Sequence, residues 1–190
     1  MKREAITKAE RRLEAARAAS DAIQCADDPN EIESEWAKFV LAVGGWYSIL
    51  EQGAKGNGPS QGWFGKLKSE RKKDDLLRYI HYARNSEEHG IKPHTHRGHQ
   101  YVELGPGATA TIYKKSQYIT ELVESSGPIR FFGPENVALD TVLDERYGDT
   151  CDIPKSHRGT AIDPTPANVA KLCVQYLVEM TEKAKKLADP

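Results

Sequence analysis

The segment 79–90 contains the residues best suited to chemistry in this chain, because it places a guanidinium, a carboxamide and an imidazole close together. Arginine can bind a phosphate through two parallel hydrogen bonds and balance charge in a phosphoryl transition state. Histidine can move protons near neutral pH, and asparagine can orient either group. The sequence therefore makes Arg84, Asn85 and His89 candidate catalytic residues for phosphate chemistry.

The spacing of these residues on one helix raises a geometric problem. Asn85 and His89 share a helix face, whereas Arg84 and His89 diverge by roughly 140° on a regular helix. Two arrangements would bring all three together. The helix could unwind at His89, just before Gly90, or two copies of the motif could meet across a two-fold axis and form a composite site.

The pattern Arg-Asn-x-x-x-His at the end of the third predicted helix resembles the HEPN superfamily, many of whose members are ribonucleases. The resemblance covers roughly the first 90 residues and the last helix. It implies a four-helix up-down bundle, a homodimer, and metal-independent cleavage of RNA that leaves a cyclic phosphate and a free hydroxyl. It also implies no cofactor, and a role in toxin–antitoxin or anti-phage systems with a cognate antitoxin or regulatory protein as partner.

Roles for the three residues follow from the same resemblance. His89 would transfer a proton at the ribose hydroxyl, Arg84 would contact the scissile phosphate, and Asn85 would support the site. The alternative from the residues alone is that Arg84 and His89 cap helix carbonyls or pair with Glu87 or Glu88.

Weaker substrate contacts are expected from residues on the same predicted helix. His81 and Tyr82 lie one turn before Asn85, and Lys72 and Lys73 belong to a locally basic stretch. Residues 66–97 contain nine Lys or Arg against five Asp or Glu, so RNA could approach this face. Residues 134–152 contain six acidic residues against one arginine and could shield the basic face or pair with it in the partner subunit.

Two other functions remain open. His94, His96 and His99 are dense enough to bind zinc, nickel or iron, with His94 and His96 projecting together from a strand and Glu103 as a possible carboxylate ligand. The second alternative is a non-catalytic HEPN-like module that binds a nucleotide or a partner protein. No Walker loop, dinucleotide-binding glycine motif or nucleophile elbow is present.

Hydrophobic periodicity predicts the elements that would position these residues. Helices are expected over 3–26, from Asn30 to about 52, from 66 or 69 to 88, and from Thr165 onward, with a long loop over 53–65. Short β-prone stretches lie at 101–104, 108–113, 129–132 and 137–143. We therefore expect a single mainly α domain over 1–190, with a helical bundle at 3–91 and 164–188 and a β-rich insertion at 100–150.

Composition limits the remaining possibilities. The 190 residues have a formal net charge of −1, so no global positive field draws the protein to polyanions. The longest apolar run, 39–50, is interrupted by glycines and is too short to span a bilayer. The charged N-terminal stretch does not resemble a signal peptide, and three scattered cysteines suggest reduced thiols. These features predict a cytoplasmic protein with no membrane partner.

Overall fold

The computed structural model describes residues 1–114, 120–145 and 148–188, apart from the side chains at 99–103, 112–123 and 131–135. Its helices in chain order are α1 (Arg3–Cys25), α2 (Pro29–Ala54), α3 (Gly58–Lys73), α4 (Asp75–His89) and α5 (Pro166–Lys185). Its strands are β1 (Thr95–Leu104), β2 (Ala110–Lys114), β3 (Thr120–Ser125), β4 (Ile129–Leu139), β5 (Val142–Asp144), β6 (Asp149–Cys151), β7 (Ser156–His157) and β8 (Thr160–Ala161). The prediction of a mainly helical chain with a few small strands is confirmed.

The helices pack around one hydrophobic cluster to which the predicted apolar stripes contribute. On α1 the stripe is made of small residues, and Ala9 and Ala16 are fully buried. Because alanine side chains are short, α1 can approach α2 and α5 closely, and it packs mainly against those two helices. The large buried side chains come from the other helices and from β4: Trp36, Trp46, Phe39, Tyr79, Leu139 and Tyr176.

Thr165 and Pro166 begin α5 as predicted. The Thr165 side chain accepts a hydrogen bond from the backbone N–H of Asn168 at 3.3 Å, and Pro166 occupies the first turn. Proline is tolerated there because the first-turn N–H groups have no partner within the helix. The Thr165 cap and Pro166 together therefore determine where the last helix starts.

The long loop predicted over 53–65 is wrong, because most of that stretch is the first part of α3. Asn57 caps this helix by accepting a hydrogen bond from Ser60 N–H at 3.0 Å, and proline again lies in the first turn. Phe64 and Leu67 are buried and hold the helix against the core. Gly62 lies on the open side of the helix, where an added Cβ atom would contact nothing within 4 Å. Packing of the apolar residues thus overrides the low helix propensity of the glycines.

The single helix predicted from 66 or 69 to 88 is two helices that meet at Asp74. This residue ends α3, where its backbone N–H bonds to Glu70, and it caps α4, where its side chain accepts from Leu77 N–H at 3.0 Å. An aspartate before an apolar run is a strong N-cap. The break changes the direction of the chain immediately before the helix that contains Arg84.

The strands lie between α4 and α5. Four of them form an antiparallel sheet in the order β2-β3-β1-β4, and β5-β6 and β7-β8 are short antiparallel pairs. The stretches predicted separately at 129–132 and 137–143 are instead mostly one strand, β4, whose partner β1 begins at Thr95. The pair β5-β6 contributes Val142 and Cys151 to the core cluster, which places β5 against α4.

Among the described residues, no helix is both long and apolar enough to cross a membrane.

Candidate functional site

Arg84 lies on the face of α4 that packs against α2, and a glycine makes room for it. A Cβ atom on Gly44 would come within 2.5 Å of Arg84 Cγ and 2.7 Å of Arg84 Nε. A larger residue at position 44 would therefore displace the arginine. The Arg84 side chain is 25% exposed, so the guanidinium reaches the surface while the stem is held between the two helices.

Glu88 brings Arg84 and His89 to one point. Its Oε2 atom lies 2.6 Å from Arg84 Nη2 and 3.6 Å from His89 Nε2. The helix does not unwind at His89, since α4 extends to that residue and Gly90 caps it. Instead, the side chains of Arg84 and His89 reach a common carboxylate oxygen from successive turns. Arg84 therefore makes the pairing with Glu88 that the structural alternative predicts, and the His89 ring lies near the same oxygen at a distance too long for a hydrogen bond.

Asn85 connects this group to the strand region. Its side-chain oxygen accepts a hydrogen bond from Arg84 Nη1 at 3.2 Å, and its Nδ2 donates to Asp144 Oδ2 at 3.3 Å. Asp144 is the last residue of β5 and is buried. The next residue, Glu145, accepts a hydrogen bond from the backbone N–H of Ile91 at 3.0 Å. The acidic stretch thus packs on the end of α4 within the same chain.

His81 lies one turn before Asn85 and borders a narrow cavity together with Arg84 and with Arg71 of α3. Burial, together with the charges of Arg71 and Arg84, lowers the pKa of His81 to about 4, and Asp144 acts in the opposite direction. The imidazole is therefore neutral at pH 7. It can exchange hydrogen bonds with a ligand but does not add positive charge.

The other residues expected to contact substrate lie on two different helices, with Lys72 and Lys73 on α3 and Tyr82 on α4. Lys72 and Lys73 are exposed in the last turn of α3, and the charge of Lys72 reaches His81. Tyr82 is half-buried against the core. Burial raises the pKa of Tyr82, as do Asp149 and Cys151 of β6, so this tyrosine faces the β5-β6 pair.

The histidines considered as metal ligands occupy different surroundings. His94 is 5% exposed and packs near Trp36, with ring centroids 6.4 Å apart. Its Nδ1 lies 3.7 Å from Glu87 Oε2, too long for a hydrogen bond, while His96 Nδ1 lies 3.8 Å from Asp140 Oδ2. The side chain of His99 is outside the described part of the chain. No group of three or more His, Cys, Asp or Glu side chains able to hold a metal occurs among the residues described.

A second polar network joins the start of α4 to the β7-β8 pair. Asp74 accepts hydrogen bonds from His157 Nδ1 at 3.0 Å and from Arg158 N–H at 2.7 Å. Burial by itself would raise the pKa of Asp74, but the bonds from His157, Arg158 and Leu77 outweigh burial and hold the pKa below its ordinary value. His157 is therefore held by a structural hydrogen bond at the start of α4, whereas His89 lies at its end.

Several residues that shape the site were not predicted from the sequence. Gly44 makes the space for Arg84, and Arg71 borders the same cavity, while Asp144 anchors Asn85. In the sequence, Arg71 is one of several basic residues near the end of α3, and Gly44 is one of the glycines that interrupt the apolar run 39–50. Each gains its role from a residue distant in sequence, so local spacing contains no signal for it.

Comparison of the chain with protein-family models, with curated proteins and with solved structures finds no match. The resemblance to the HEPN superfamily therefore rests on the residues of this chain alone.

Proposed function

We propose that this protein is a metal-independent endoribonuclease with a HEPN-like helical bundle, in which Arg84, Asn85 and His89 form the active site. The observation that supports this proposal most strongly is that Arg84 Nη2 and His89 Nε2 lie 2.6 Å and 3.6 Å from the same oxygen of Glu88, so both side chains face one place at the end of α4. The pairing of Arg84 with Glu88 is also the one expected if these residues are structural, and only an activity test separates the two. A phosphate oxygen has the same charge preference and hydrogen-bonding chemistry as that carboxylate oxygen. In the proposed complex, the scissile phosphate replaces the Glu88 carboxylate between the two side chains.

The proposed reaction is an internal transfer at phosphorus. The ribose 2′-hydroxyl loses its proton to His89 as its oxygen forms a bond to phosphorus. The bond from phosphorus to the 5′-oxygen of the next nucleotide breaks, and that oxygen takes a proton to become a free hydroxyl. The products are a 2′,3′-cyclic phosphate and a 5′-hydroxyl. Arg84 stabilises the charge that develops on the phosphate, and Asn85 holds the guanidinium in place.

The proton given to the leaving oxygen requires an acid in addition to the base. We propose that a second copy of the chain supplies it, so that the two Arg-Asn-x-x-x-His motifs face each other across a two-fold axis. His81, Tyr82, Lys72 and Lys73 would then contact flanking parts of the RNA. A toxin or anti-phage role, restrained by an antitoxin or other regulatory protein, belongs to the same proposal, as does a cytoplasmic location.

The test is incubation of the purified protein with mixed RNA in excess chelator, with analysis of the fragment ends. Wild type should cut and leave cyclic-phosphate ends, whereas Arg84→Ala and His89→Ala should lose at least a hundredfold in rate, as is usual for removal of a proton-transfer or charge-stabilising group. Arg78→Ala is the matched control. Arg78 lies on the same helix, but its guanidinium pairs with Asp75, so this variant should keep full activity.

Three results would count against the nuclease. Equal cutting by wild type and His89→Ala would indicate a contaminant. Activity only after addition of a divalent metal would favour the alternative built on His94 and His96. RNA or nucleotide binding that is lost in Arg84→Ala, with no cleavage by any protein, would favour the non-catalytic binding module.

A further inference from the structure

A narrow cavity lies beside the proposed active site, where α2, α3 and α4 meet. Its lining includes Gly44, Tyr47, Arg71, His81 and Arg84. The space in it that a water-sized sphere can occupy is only about 10 Å³, close to the least that a single water requires. One oxygen atom can therefore enter it, while a larger group bonded to that oxygen would lie at the surface, where Arg84 is partly exposed.

Two guanidinium groups line this cavity from different helices. Arg71 stacks on the ring of Tyr47 with its Cζ atom 4.6 Å from the ring centroid. Burial lowers the pKa of Arg71, and the nearby charge of Arg84 lowers it further, although Tyr47 and Glu51 act in the opposite direction. Like charges held close together in a half-buried place are unfavourable unless an anion is near.

The hydrogen bonding of these arginines is incomplete. The Nε atoms of Arg71 and Arg84 are both buried and have no acceptor within the described residues. An unsatisfied buried N–H group costs about 1–3 kcal/mol, and more when the group is charged. Buried donors of this kind commonly mark the place of a bound ion or water.

The carboxylates around the cavity are engaged with other cations. Glu51 Oε1 lies 2.9 Å from Lys68 Nζ. Glu70 pairs with Arg158 at 3.3 Å and accepts a hydrogen bond from Tyr176 at 3.0 Å. The carboxylate of Glu88 binds the outer edge of Arg84 rather than its buried Nε. The charges of Glu51 and Asp144 still act on Arg71 and His81, but no carboxylate accepts a hydrogen bond from the two buried Nε groups within the described residues.

We propose that Arg71, His81 and Arg84 form a second anion subsite, which takes a phosphate of the RNA strand next to the one that is cut. This inference rests on the proposed function for the identity of the strand as RNA. One phosphate oxygen enters the cavity and accepts hydrogen bonds from the two arginines, and the neutral imidazole of His81 donates a further one. Arg84 then contacts two successive phosphates, one through Nε and the other through Nη2. Arg71 becomes a substrate-positioning residue.

The subsite is tested first with inorganic phosphate, by following the Nε–H signals of the arginines in NMR spectra. Phosphate should shift the signals of Arg71 and Arg84 in a saturable way, and the shift at Arg84 Nε should be lost in Arg71→Gln. Arg78→Gln is the control, because its guanidinium pairs with Asp75 away from the cavity. Shifts that rise linearly with phosphate, or that are equal at Arg71 and Arg78, would overturn the subsite.

The second measurement uses a 2′-O-methyl RNA oligonucleotide, which binds but cannot be cut. Arg71→Gln should weaken binding about tenfold and reduce the slope of log affinity against log salt by about 0.7, the loss of one phosphate contact to a single strand. Arg78→Gln should match wild type. If phosphate binds at Arg71 and no RNA is cleaved, the subsite stands and the nuclease fails. If RNA is cleaved with the same KM by wild type and Arg71→Gln, the nuclease stands and the subsite fails.

Discussion

Arg84 and Glu88 form an ion pair across one turn of α4, with 2.6 Å between Nη2 and Oε2. The same Oε2 atom is 3.6 Å from His89 Nε2, so the carboxylate occupies the position where the two proposed catalytic side chains meet. In the free protein, Glu88 satisfies the outer edge of the guanidinium. A phosphate that binds Arg84 at this edge must displace it.

The first prediction follows from that competition. Glu88→Gln should bind a 2′-O-methyl RNA oligonucleotide several-fold more tightly than wild type, because the amide competes less well for Arg84. The gain should not exceed about fivefold, since ion pairs near the surface contribute about 1 kcal/mol or less. The affinity of each variant for the oligonucleotide is measured by fluorescence anisotropy at low and at high salt.

Glu87→Gln is the matched control for this substitution. It removes the neighbouring carboxylate, which lies 3.7 Å from His94 Nδ1 rather than at Arg84, and it should leave RNA affinity close to wild type after correction for the change in net charge. Weaker binding by Glu88→Gln than by Glu87→Gln would mean that Glu88 positions Arg84 for RNA instead of competing with it.

The second prediction concerns the glycine opposite Arg84. Gly44→Ala should reduce RNA binding, because the added Cβ would lie 2.5 Å from Arg84 Cγ and the arginine must move. Stability should change much less than binding, since overpacking costs about 1–3 kcal/mol while alanine gains about 1 kcal/mol of helix propensity over glycine. RNA binding and urea unfolding, measured on the same preparation, separate the two effects.

Gly45→Ala provides the comparison from the same helix. A Cβ there would meet Arg12 Nε at 3.0 Å, and Arg12 is an exposed side chain that can move away. This variant should retain wild-type RNA binding and be slightly more stable. If both variants bind RNA as wild type does, the Arg84 guanidinium does not depend on its contact with Gly44.

The helices that could be predicted are those whose apolar spacing is regular. The stripe on α1 is buried as expected, and α5 begins at Thr165 because a cap and a proline coincide there. The failures occurred where local propensity and packing disagree. Glycines suggested a loop over 53–65, yet burial of Phe64 and Leu67 holds a helix there, and a loop prediction based on composition takes no account of that contact.

The candidate site could be predicted only in its chemical groups. Arg84, Asn85 and His89 lie within six residues, so the sequence names the groups, and it also names Glu88 as a possible partner, but helix geometry alone predicts that Arg84 and His89 diverge. The contacts that orient these side chains could not be predicted from the sequence. Gly44 of α2 contacts Arg84 of α4, and Asp144 of β5 accepts a hydrogen bond from Asn85, so both contacts join residues that are far apart in the chain. Such pairings depend on how the helices and strands meet in three dimensions.

The third prediction concerns the residue that divides the two middle helices. Asp74→Ala should destabilise the protein by about 2–4 kcal/mol, because it removes the cap of α4, worth about 1 kcal/mol, and leaves the buried His157 imidazole without its hydrogen-bond acceptor, which costs about 1–3 kcal/mol. The side chains of Asp74 and His157 are 7% and 11% exposed. Urea unfolding measures the loss.

Asp28→Ala is the control for the cap alone. Asp28 caps α2 through Asn30 N–H at 3.0 Å and is exposed, so this substitution should cost about 1 kcal/mol. Equal losses for the two variants would show that the hydrogen bond with His157 adds no stability beyond that of the cap.

The last prediction is a loss of stability on mild acidification, caused by His94. Burial lowers the pKa of His94 from 6.5 to about 4, and the Glu87 carboxylate is not close enough to accept a hydrogen bond from it. Below pH 6.5 the unfolded chain binds a proton at this residue that the native state does not bind until about pH 4. Stability from His94 is therefore complete above pH 6.5 and falls as the pH drops, by about 2 kcal/mol at pH 5.

The dependence is measured as the free energy of urea unfolding between pH 7 and pH 5, in wild type and in His94→Phe, which should have the shallower profile because it cannot bind the proton. Protonation of His81 also lowers the free energy of unfolding as the pH falls, since its pKa is about 4 as well. The variant should keep this part of the pH dependence. If His94→Phe does not fold, the ring protons of His94 in the wild-type NMR spectrum give the same answer directly. A midpoint near 6.5 would contradict the prediction, because it would mean that the native state accepts the proton as readily as the unfolded chain does.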